Sequence, residues 1–245
     1  YSWYMKEWAG VDPENGDPLW YVVDADPDAY IYAGFKEELT PEEYARRVAD
    51  GTIMDALAKH EIRTGDVFYI PAGRVHAIGK GVILVEVQQS SDLTYRIYDY
   101  GRLGLDGKPR ALHTDLAAQA LDYRVYKEYK NSYKDAIDAA NPCLDTEHFS
   151  VRVVSLTQAI HRNMVGYDSF VISTCTQGSC KIRIRSTRDE VELREGFSCL
   201  IPAAIADYDI IPITPTAKLL EAYINNSSQH TFRRMISQFL HLSGF

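Results

Sequence analysis

The segment "GDVFYIPAGRVHAIGKG" (residues 65–81) constrains the fold more than any other part of the sequence. Apolar and aromatic residues that favour strands are interrupted by Pro71 and Gly73, which predicts a strand, a tight turn and a second strand. The turn fixes the direction in which the imidazole of His76 points. From spacing alone, His76 is as consistent with a hydrogen-bonded core residue as with a metal ligand.

The last third of the chain repeats this pattern without the histidine. Gly196 precedes "IPAA" (residues 201–204) at the spacing at which Gly65 precedes "IPAG" (residues 70–73). Where the first copy has its histidine, the second has Asp207. Short strand-like runs separated by Gly-Ser, Thr-Arg-Asp and Glu-Gly turns surround the second copy. The sequence therefore predicts an all-β dominated fold with two barrels of the same plan.

Other segments predict further local structure. "WYVVDADPDAYIYAGF" (residues 20–35) alternates apolar and polar residues around an Asp-Pro-Asp turn, which predicts a β-hairpin. A small helical insertion is expected near residues 40–60. It consists of a helix with Thr40 as N-cap and Gly51 as its stop, and a second short helix over residues 52–60. "HTDLAAQALDY" is predicted to be helical, and "SQHTFRRMISQFLHLSGF" is predicted to be a polar helix that closes the chain.

At 245 residues the chain is long enough for one large β domain or two smaller ones. The segment "NPCLDT" is interpreted as a linker and marks the predicted boundary. We therefore predict a first barrel over residues 1–140, which carries the active-site pocket and the helical insertion. A second, degenerate barrel with the C-terminal helix is predicted over residues 141–245.

Composition excludes several classes of function. Hydrophobic residues make up 46% and charged residues 24% of the chain, which is typical of a soluble globular protein. The net charge of −8 argues against a nucleic-acid partner, and no apolar run or signal peptide indicates a membrane partner. The four cysteines are interpreted as reduced, buried thiols of a cytoplasmic protein. Cys175 and Cys180 are predicted to lie in one hairpin and to face opposite sides of it.

The spacing G-x5-P-x-G-x2-H, complete in Gly65, Pro71, Gly73 and His76, is the second motif of the cupin jelly-roll barrel. The segment "IPAGRVHAIGKGVILVEVQQSSDLTYRIYDYGR" closely resembles the type I mannose-6-phosphate isomerases, zinc-dependent aldose–ketose isomerases with two cupin barrels. "WYVVDADPDAYIYAGF" and "GFSCLIPA" are similar to other parts of that family, so the resemblance covers about residues 20–224. It implies interconversion of mannose 6-phosphate and fructose 6-phosphate by proton transfer through an enediol, with zinc as the cofactor.

The resemblance implies roles for four residues. The histidine of "VHA", His76, binds the zinc, and the arginine of "SSDLTYR", Arg96, lies over the metal and stabilises the anionic intermediate. Asp92 and Glu86 belong to the pocket wall and complete the predicted catalytic set.

The residues themselves leave alternatives open. Arg96 lies in an apolar β-run, where an unpaired charge is costly, so it either faces an anionic intermediate or pairs with Asp92 or Asp99. Glu86 is the only acid in "GVILVEVQ". A carboxylate in a barrel interior has a raised pKa and suits a general base, whereas a carboxylate at the rim forms a salt bridge.

Five further polar residues are weaker candidates. Lys80, Arg74 and Arg102 are positioned to meet a phosphate group, but each is also typical of a solvated loop charge. His60 and His113 flank predicted helices, so we expect them to be surface or capping residues.

The sequence departs from the family at the other zinc ligands. The resemblance implies a glutamate and a lysine ahead of Trp20, where this chain has Pro18 and Gly16. A glutamine and a histidine are replaced by Gly10 and Asp12. Zinc prefers about four ligands, so either a segment that carries the others is missing or the metal site is lost.

Three functions remain open at this point. The leading hypothesis is the isomerase, with a small-molecule sugar phosphate as the partner. The second is a catalytically silent sugar-phosphate-binding or regulatory protein that has lost the zinc site. The third is another cupin isomerase that acts on a different aldose phosphate. The sequence makes no prediction of the oligomeric state.

Overall fold

A computed structural model describes residues 17–90, 93–99, 103 and 106–225, together with the backbone of residues 9–11. These residues divide into two compact units between Asn131 and Ser132. Strands dominate both units, which confirms the predicted all-β dominated class. Within the described ranges no helix has the length and apolar character needed to cross a membrane. The predicted C-terminal helix lies outside the described residues.

The first unit is built from two sheets, with the strand orders β4-β3-β6-β1-β8 and β5-β2-β7. The strands are β1 Ala9–Val11, β2 Leu19–Ala25, β3 Tyr30–Phe35, β4 Leu57–Glu61, β5 Val67–Tyr69, β6 His76–Ile78, β7 Val82–Val87 and β8 Tyr95–Tyr98. The helices are α1 Pro41–Ala49 and α2 Thr114–Ala120, with a 3-10 helix at Ile53–Ala56.

The second unit also has two sheets, with the strand orders β15-β12-β17-β10-β9 and β11-β16-β13-β14. The strands are β9 Ala139–Asp145, β10 Ser150–Leu156, β11 Ile160–Asn163, β12 Val171–Gln177, β13 Ser179–Ile184, β14 Glu190–Arg194, β15 Ser198–Ile201, β16 Asp207–Pro212 and β17 Ala217–Tyr223.

The two units repeat one pattern of strand pairing. β2 pairs with β5 and β7 as β12 pairs with β15 and β17, and β3 pairs with β4 and β6 as β13 pairs with β14 and β16. The glycines of the repeated turn also have the same backbone conformation in both units, because Gly65 and Gly196 have positive φ angles of 90° and 82°. Their N–H groups donate to Val22 and Cys175 on corresponding strands. The structure thus has the two predicted barrels of one plan.

The predicted hairpin over residues 20–35 is wrong, although both of its strands exist. β2 and β3 lie in different sheets, and Asp28, with φ 68°, turns the chain from one sheet to the other. The prediction that Cys175 and Cys180 lie in one hairpin and face opposite sides of it is also wrong. Cys175 lies on β12 and Cys180 on β13, which belong to different sheets, and both thiols are buried in one core. All four cysteines are free thiols, and burial raises the pKa of Cys180 to about 12.

The helical insertion is confirmed in part. Thr40 caps α1 in a capping box with Glu43, as the sequence predicts. The prediction of a second helix is wrong, because after the 3-10 helix the chain continues as β4, which pairs with β3 and buries Leu57.

The linker interpretation of "NPCLDT" is also wrong. That segment belongs to β9, an edge strand in which Pro142 lies beside a register shift, where a missing N–H is tolerated.

Two cores define the faces of the larger sheet in the first unit. Trp20, Ile31, Phe68 and Ile78 belong to the core between the two sheets, which is the barrel interior. The opposite face packs against the helices through Phe35, Tyr44, Ala77, Ile97 and Ala117. Because side chains alternate along a strand, the residues on either side of Ala77 point into the barrel.

Candidate functional site

His76 begins β6 and points into the first barrel, where only 6% of it is exposed. Its Nδ1 lies 3.0 Å from the carbonyl oxygen of Arg74. This bond favours a proton on Nδ1 and leaves the lone pair on Nε2, which is the arrangement of a metal-ligating histidine. The rings of Trp20 and His76 form a T-shaped contact, with a centroid distance of 5.3 Å and an interplanar angle of 82°. The ring is therefore oriented by two contacts.

Arg96 and His76 lie on the same face of the sheet. Gly10 on β1 pairs directly with His76 on one side and with Arg96 on β8 on the other side. Directly paired residues of antiparallel strands share a face, so both side chains project toward the barrel interior. Two strand spacings separate their backbones by about 10 Å. Gly10 contributes no side chain between them.

Hydrogen bonds hold the backbone of Arg96 and part of its guanidinium. The Arg96 N–H donates to Nδ1 of His113 at 3.2 Å, and its carbonyl accepts from the His113 N–H at 2.7 Å. Its Nη1 donates to the carbonyl of Ala111 at 3.2 Å. Of the two acids that the sequence offers as partners, Asp99 binds Arg110 through both carboxylate oxygens. Asp92 lies outside the described residues.

Glu86 faces the barrel interior but is exposed. It pairs with Trp20, which in turn pairs with the buried Phe68, so all three side chains share one face. The indole Nε1–H of Trp20 donates to Oε1 of Glu86 at 3.1 Å. Of the two positions that the sequence leaves open for this carboxylate, the structure has the one at the rim, where the interior face reaches solvent.

The described residues do not supply a zinc ligand set. They contain no group of three His, Cys, Asp or Glu side chains that is placed to hold a metal ion. Pro18, where the resemblance implies a glutamate, is buried and has no ligating side-chain atom. Gly16 and Asp12 lie outside the described residues. The geometry of His76 suits a metal ligand, but the described part of the site does not fit zinc by itself.

The weaker candidates have mostly structural contacts. Arg74 stacks on Tyr126 at 4.8 Å and donates to the carbonyl of Tyr69 at 3.1 Å. Arg102 lies outside the described residues. His60, expected at a helix end, belongs to β4 and contacts the ring of Tyr129 at 5.0 Å.

The sequence did not predict the role of Trp20 or the contact of His113 with Arg96 beside the predicted site. Trp20 contacts both His76 and Glu86. Its hydrogen-bond partner, Glu86, lies 66 positions away in the sequence, so the two residues meet only in the folded barrel. His113 precedes α2, as expected of a capping residue, and also binds the backbone of Arg96. The alternation of apolar residues around Trp20 indicated burial, but no local signal indicated its hydrogen bond.

The corresponding place in the second unit holds a buried ion pair. Tyr208 on β16 points inward and donates to Glu221 on β17 at 3.2 Å. Arg162 on β11, directly paired with Tyr208, donates to the same carboxylate at 2.5 Å. Asp207, which the turn spacing aligns with the histidine of the first barrel, faces outward and contacts His161 at 3.1 Å. The inward register is therefore shifted by one residue.

Several known proteins that resemble this chain in sequence or fold carry the name mannose-6-phosphate isomerase, and no family model matches. The probable mannose-6-phosphate isomerase GmuF of Bacillus subtilis is 30% identical over 203 residues, 80% of this chain and 63% of that protein. A mannose-6-phosphate isomerase of Streptococcus mutans is 44% identical over 102 residues, 42% of this chain and 32% of that protein. The crystal structure of mannose 6-phosphate isomerase from Bacillus subtilis has a TM-score of 0.79 at 26% identity. That match covers 89% of this chain and 72% of the other. The chain thus spans less than two thirds of these two sequence relatives.

Proposed function

From the similarity to mannose-6-phosphate isomerases, we propose that the chain belongs to this family and interconverts mannose 6-phosphate and fructose 6-phosphate. One observation carries the proposal beyond family membership. His76 and Arg96 flank Gly10 on one face of a sheet. Glu86 faces the same interior from the second sheet. A carboxylate, a guanidinium and an imidazole therefore face the interior of the first barrel.

These groups match the needs of aldose–ketose isomerisation. A base removes the proton from C2 of the aldose, and the electron pair forms the C1–C2 double bond of an enediolate with negative charge on O1. Transfer of the O2 proton to O1, together with return of a proton to C1, closes the C2=O bond and gives the ketose. We assign the proton transfer to the carboxylate of Glu86, and stabilisation of the charged oxygen to the guanidinium of Arg96. Asp92 stays a predicted catalytic residue.

Zinc at His76 stays a prediction. Zinc held by His76 would supply a Lewis acid for the negative charge of the intermediate. Because the described residues do not complete its ligand set, no step is assigned to the metal. The roles proposed for Glu86 and Arg96 use only groups of this chain.

Incubation of the full chain with mannose 6-phosphate in D2O tests the proposal. We expect NMR to show conversion to fructose 6-phosphate, with deuterium incorporated wherever the transferred proton exchanges with solvent. Glu86→Gln is expected to lower the rate by about a hundredfold or more, as for loss of a general base. Glu61→Gln, an exposed acid on β4, serves as the matched control. Binding of the sugar phosphate without conversion would instead identify a silent binding protein.

His76→Ala tests the metal prediction in the same preparation. We expect a lower zinc content, measured by mass spectrometry of the purified protein, and a lower conversion rate. If both quantities equal those of the unmodified chain, His76 is not a metal ligand.

A further inference from the structure

We propose that Trp20 is a positioning residue that holds the carboxylate of Glu86 and the imidazole of His76 in a fixed relation. The inference rests on the proposed function for its catalytic consequence, but the contacts themselves are independent of it. The indole N–H donates to Glu86 at 3.1 Å, and the same side chain forms a T-shaped ring contact with His76 at a centroid distance of 5.3 Å. One side chain therefore contacts a candidate group from each of the two sheets.

Trp20 is suited to this role because it is immobile. It lies on β2, the central strand of its sheet, and only 2% of it is exposed. Phe68 and Glu86 are its direct neighbours on the two flanking strands. A buried aromatic ring has few rotamers and cannot turn without disturbing the packed core.

A fixed hydrogen-bond donor such as the Trp20 indole mainly affects the orientation of the Glu86 carboxylate. Its side chain is exposed, so water solvates the carboxylate in many orientations. The fixed indole N–H selects the orientation in which Oε1 points toward Trp20. Catalysis by a general base requires its oxygen to lie within hydrogen-bond reach of the transferred proton. The bond thus reduces the reorganisation needed before proton transfer.

The second barrel shows that the fold itself does not require a tryptophan here. Ser173 occupies the equivalent register, paired with Cys199 and with Glu221. Its hydroxyl oxygen is buried and has no hydrogen-bond partner among the described residues. Glu221 is held instead by Arg162 and Tyr208. The donor on this central strand is therefore a feature of the barrel that carries the candidate site.

The bond is tested without catalysis by the 15N–1H resonance of the Trp20 indole, assigned by its loss in Trp20→Phe. We expect Glu86→Gln to shift this resonance, because a charged acceptor is replaced by a neutral one. Glu61→Gln is the control and should leave the resonance unchanged. A resonance that is the same in Glu86→Gln as in the unmodified chain overturns the proposal.

Kinetics test the consequence. Trp20→Phe keeps an aromatic ring and removes the donor, so we expect kcat to fall by about ten- to a hundredfold with a smaller change in KM, the scale of a misplaced catalytic group. In the Glu86→Gln background the same substitution should change kcat by less than about twofold, because the two residues act as one unit.

Ile31→Val separates positioning from packing. Ile31 lies in the same interior core and is not a member of the candidate site. We expect its kcat to stay within about twofold of the unmodified chain. The positioning role is overturned if Ile31→Val lowers kcat as much as Trp20→Phe does. It is also overturned if Trp20→Phe lowers kcat by the same factor in the Glu86→Gln variant as in the unmodified chain. If the unmodified chain converts no mannose 6-phosphate, the proposed function fails, while the indole resonance still decides the contact.

Discussion

The two barrels share six strands and their pairing, yet their interiors hold different chemistry. In the first barrel the inward position opposite Gly10 is His76, and Glu86 is exposed. In the second barrel the inward position opposite Arg162 is Tyr208, and Glu221 is fully buried. One frame therefore supports either a polar site open to solvent or a polar core closed by an ion pair.

A neighbouring strand accounts for part of this difference. The larger sheet of the first unit continues beyond β1 to β8, which carries Arg96. In the second unit β11 corresponds to β1, and among the described residues β11 is the edge strand of its sheet. The second barrel thus lacks, in that part of the chain, the position from which Arg96 faces the interior. Its cationic group, Arg162, comes from β11 itself and is neutralised by Glu221.

The largest expected effect is on stability in the second barrel. Glu221→Gln leaves the guanidinium of Arg162 buried without its counter-charge, which costs about 3–5 kcal/mol of unfolding free energy. Urea denaturation measures this loss. The matched substitution in the first barrel, Glu86→Gln, removes an exposed charge and should stay within about 0.5 kcal/mol. Similar losses in the two variants would remove the contrast between a closed and an open interior.

A smaller effect is expected on catalysis in the first barrel. Arg96→Ala should lower kcat about a hundredfold, the scale of losing one preorganised donor to a charged oxygen, with a smaller change in KM. Arg96→Lys should restore only part of the rate, because lysine lacks the planar fork. Steady-state kinetics with a melting curve measure both quantities. Arg183→Ala, an exposed arginine on β13 that pairs with Glu190, is the control.

Three results would assign Arg96 differently. A raised KM with normal kcat in Arg96→Lys indicates that the residue grips the substrate phosphate. A lower melting temperature with normal activity per folded molecule indicates a structural ion pair, for example with Asp92. Activity equal to that of the control variant excludes Arg96 from the site.

The smallest expected effect concerns acid stability of the first unit. Hydrogen bonds from Arg124 and Tyr126 lower the pKa of Asp122 to about 2 from the ordinary 3.8, against the effect of burial. A lowered pKa means that the ionised carboxylate stabilises the fold above about pH 4, and that this contribution is lost as the pH falls toward 2. The Asp122 N–H also donates to Gly73, in the turn that precedes His76.

Melting temperatures between pH 2 and pH 6 check this prediction. Asp122→Asn should lower the melting temperature at pH 6 and should flatten its dependence on pH below 4. Asp50→Asn, at an exposed helix end, is the control. An unchanged acid profile in Asp122→Asn contradicts the assignment of this carboxylate.

The fold was predicted from short sequence patterns, and these were sufficient for features that residues close together in the chain determine. Thr40 and Pro41 define the start of α1, and the repeated glycine-to-proline spacing identifies the two barrels. Turn residues do not reveal which strands pair, however. The Asp-Pro-Asp turn after β2 joins two sheets, so the predicted hairpin failed although the strands were located correctly.

The candidate site could be predicted only as far as single residues. The motif places His76 at the start of a strand, and the family resemblance points to Arg96 and Glu86. Their relation depends on the register of β1 against β6 and β8, which no local pattern encodes. Of the buried pair, Glu221 did leave a signal, since it follows two leucines and precedes Ala222 in a strand, whereas Arg162 lies between His161 and Asn163 and left none.

The pairing of β2 with β7, and of β12 with β17, also has a consequence for folding kinetics. Leu19 pairs with Val87 and Val171 pairs with Tyr223, so each barrel joins segments that are distant in the chain. Ordering such long loops costs entropy before the contacts that compensate for it can form. Chains dominated by non-local strand pairs fold in about milliseconds to seconds, much more slowly than helical bundles. We therefore expect slow refolding of each unit in stopped-flow measurements.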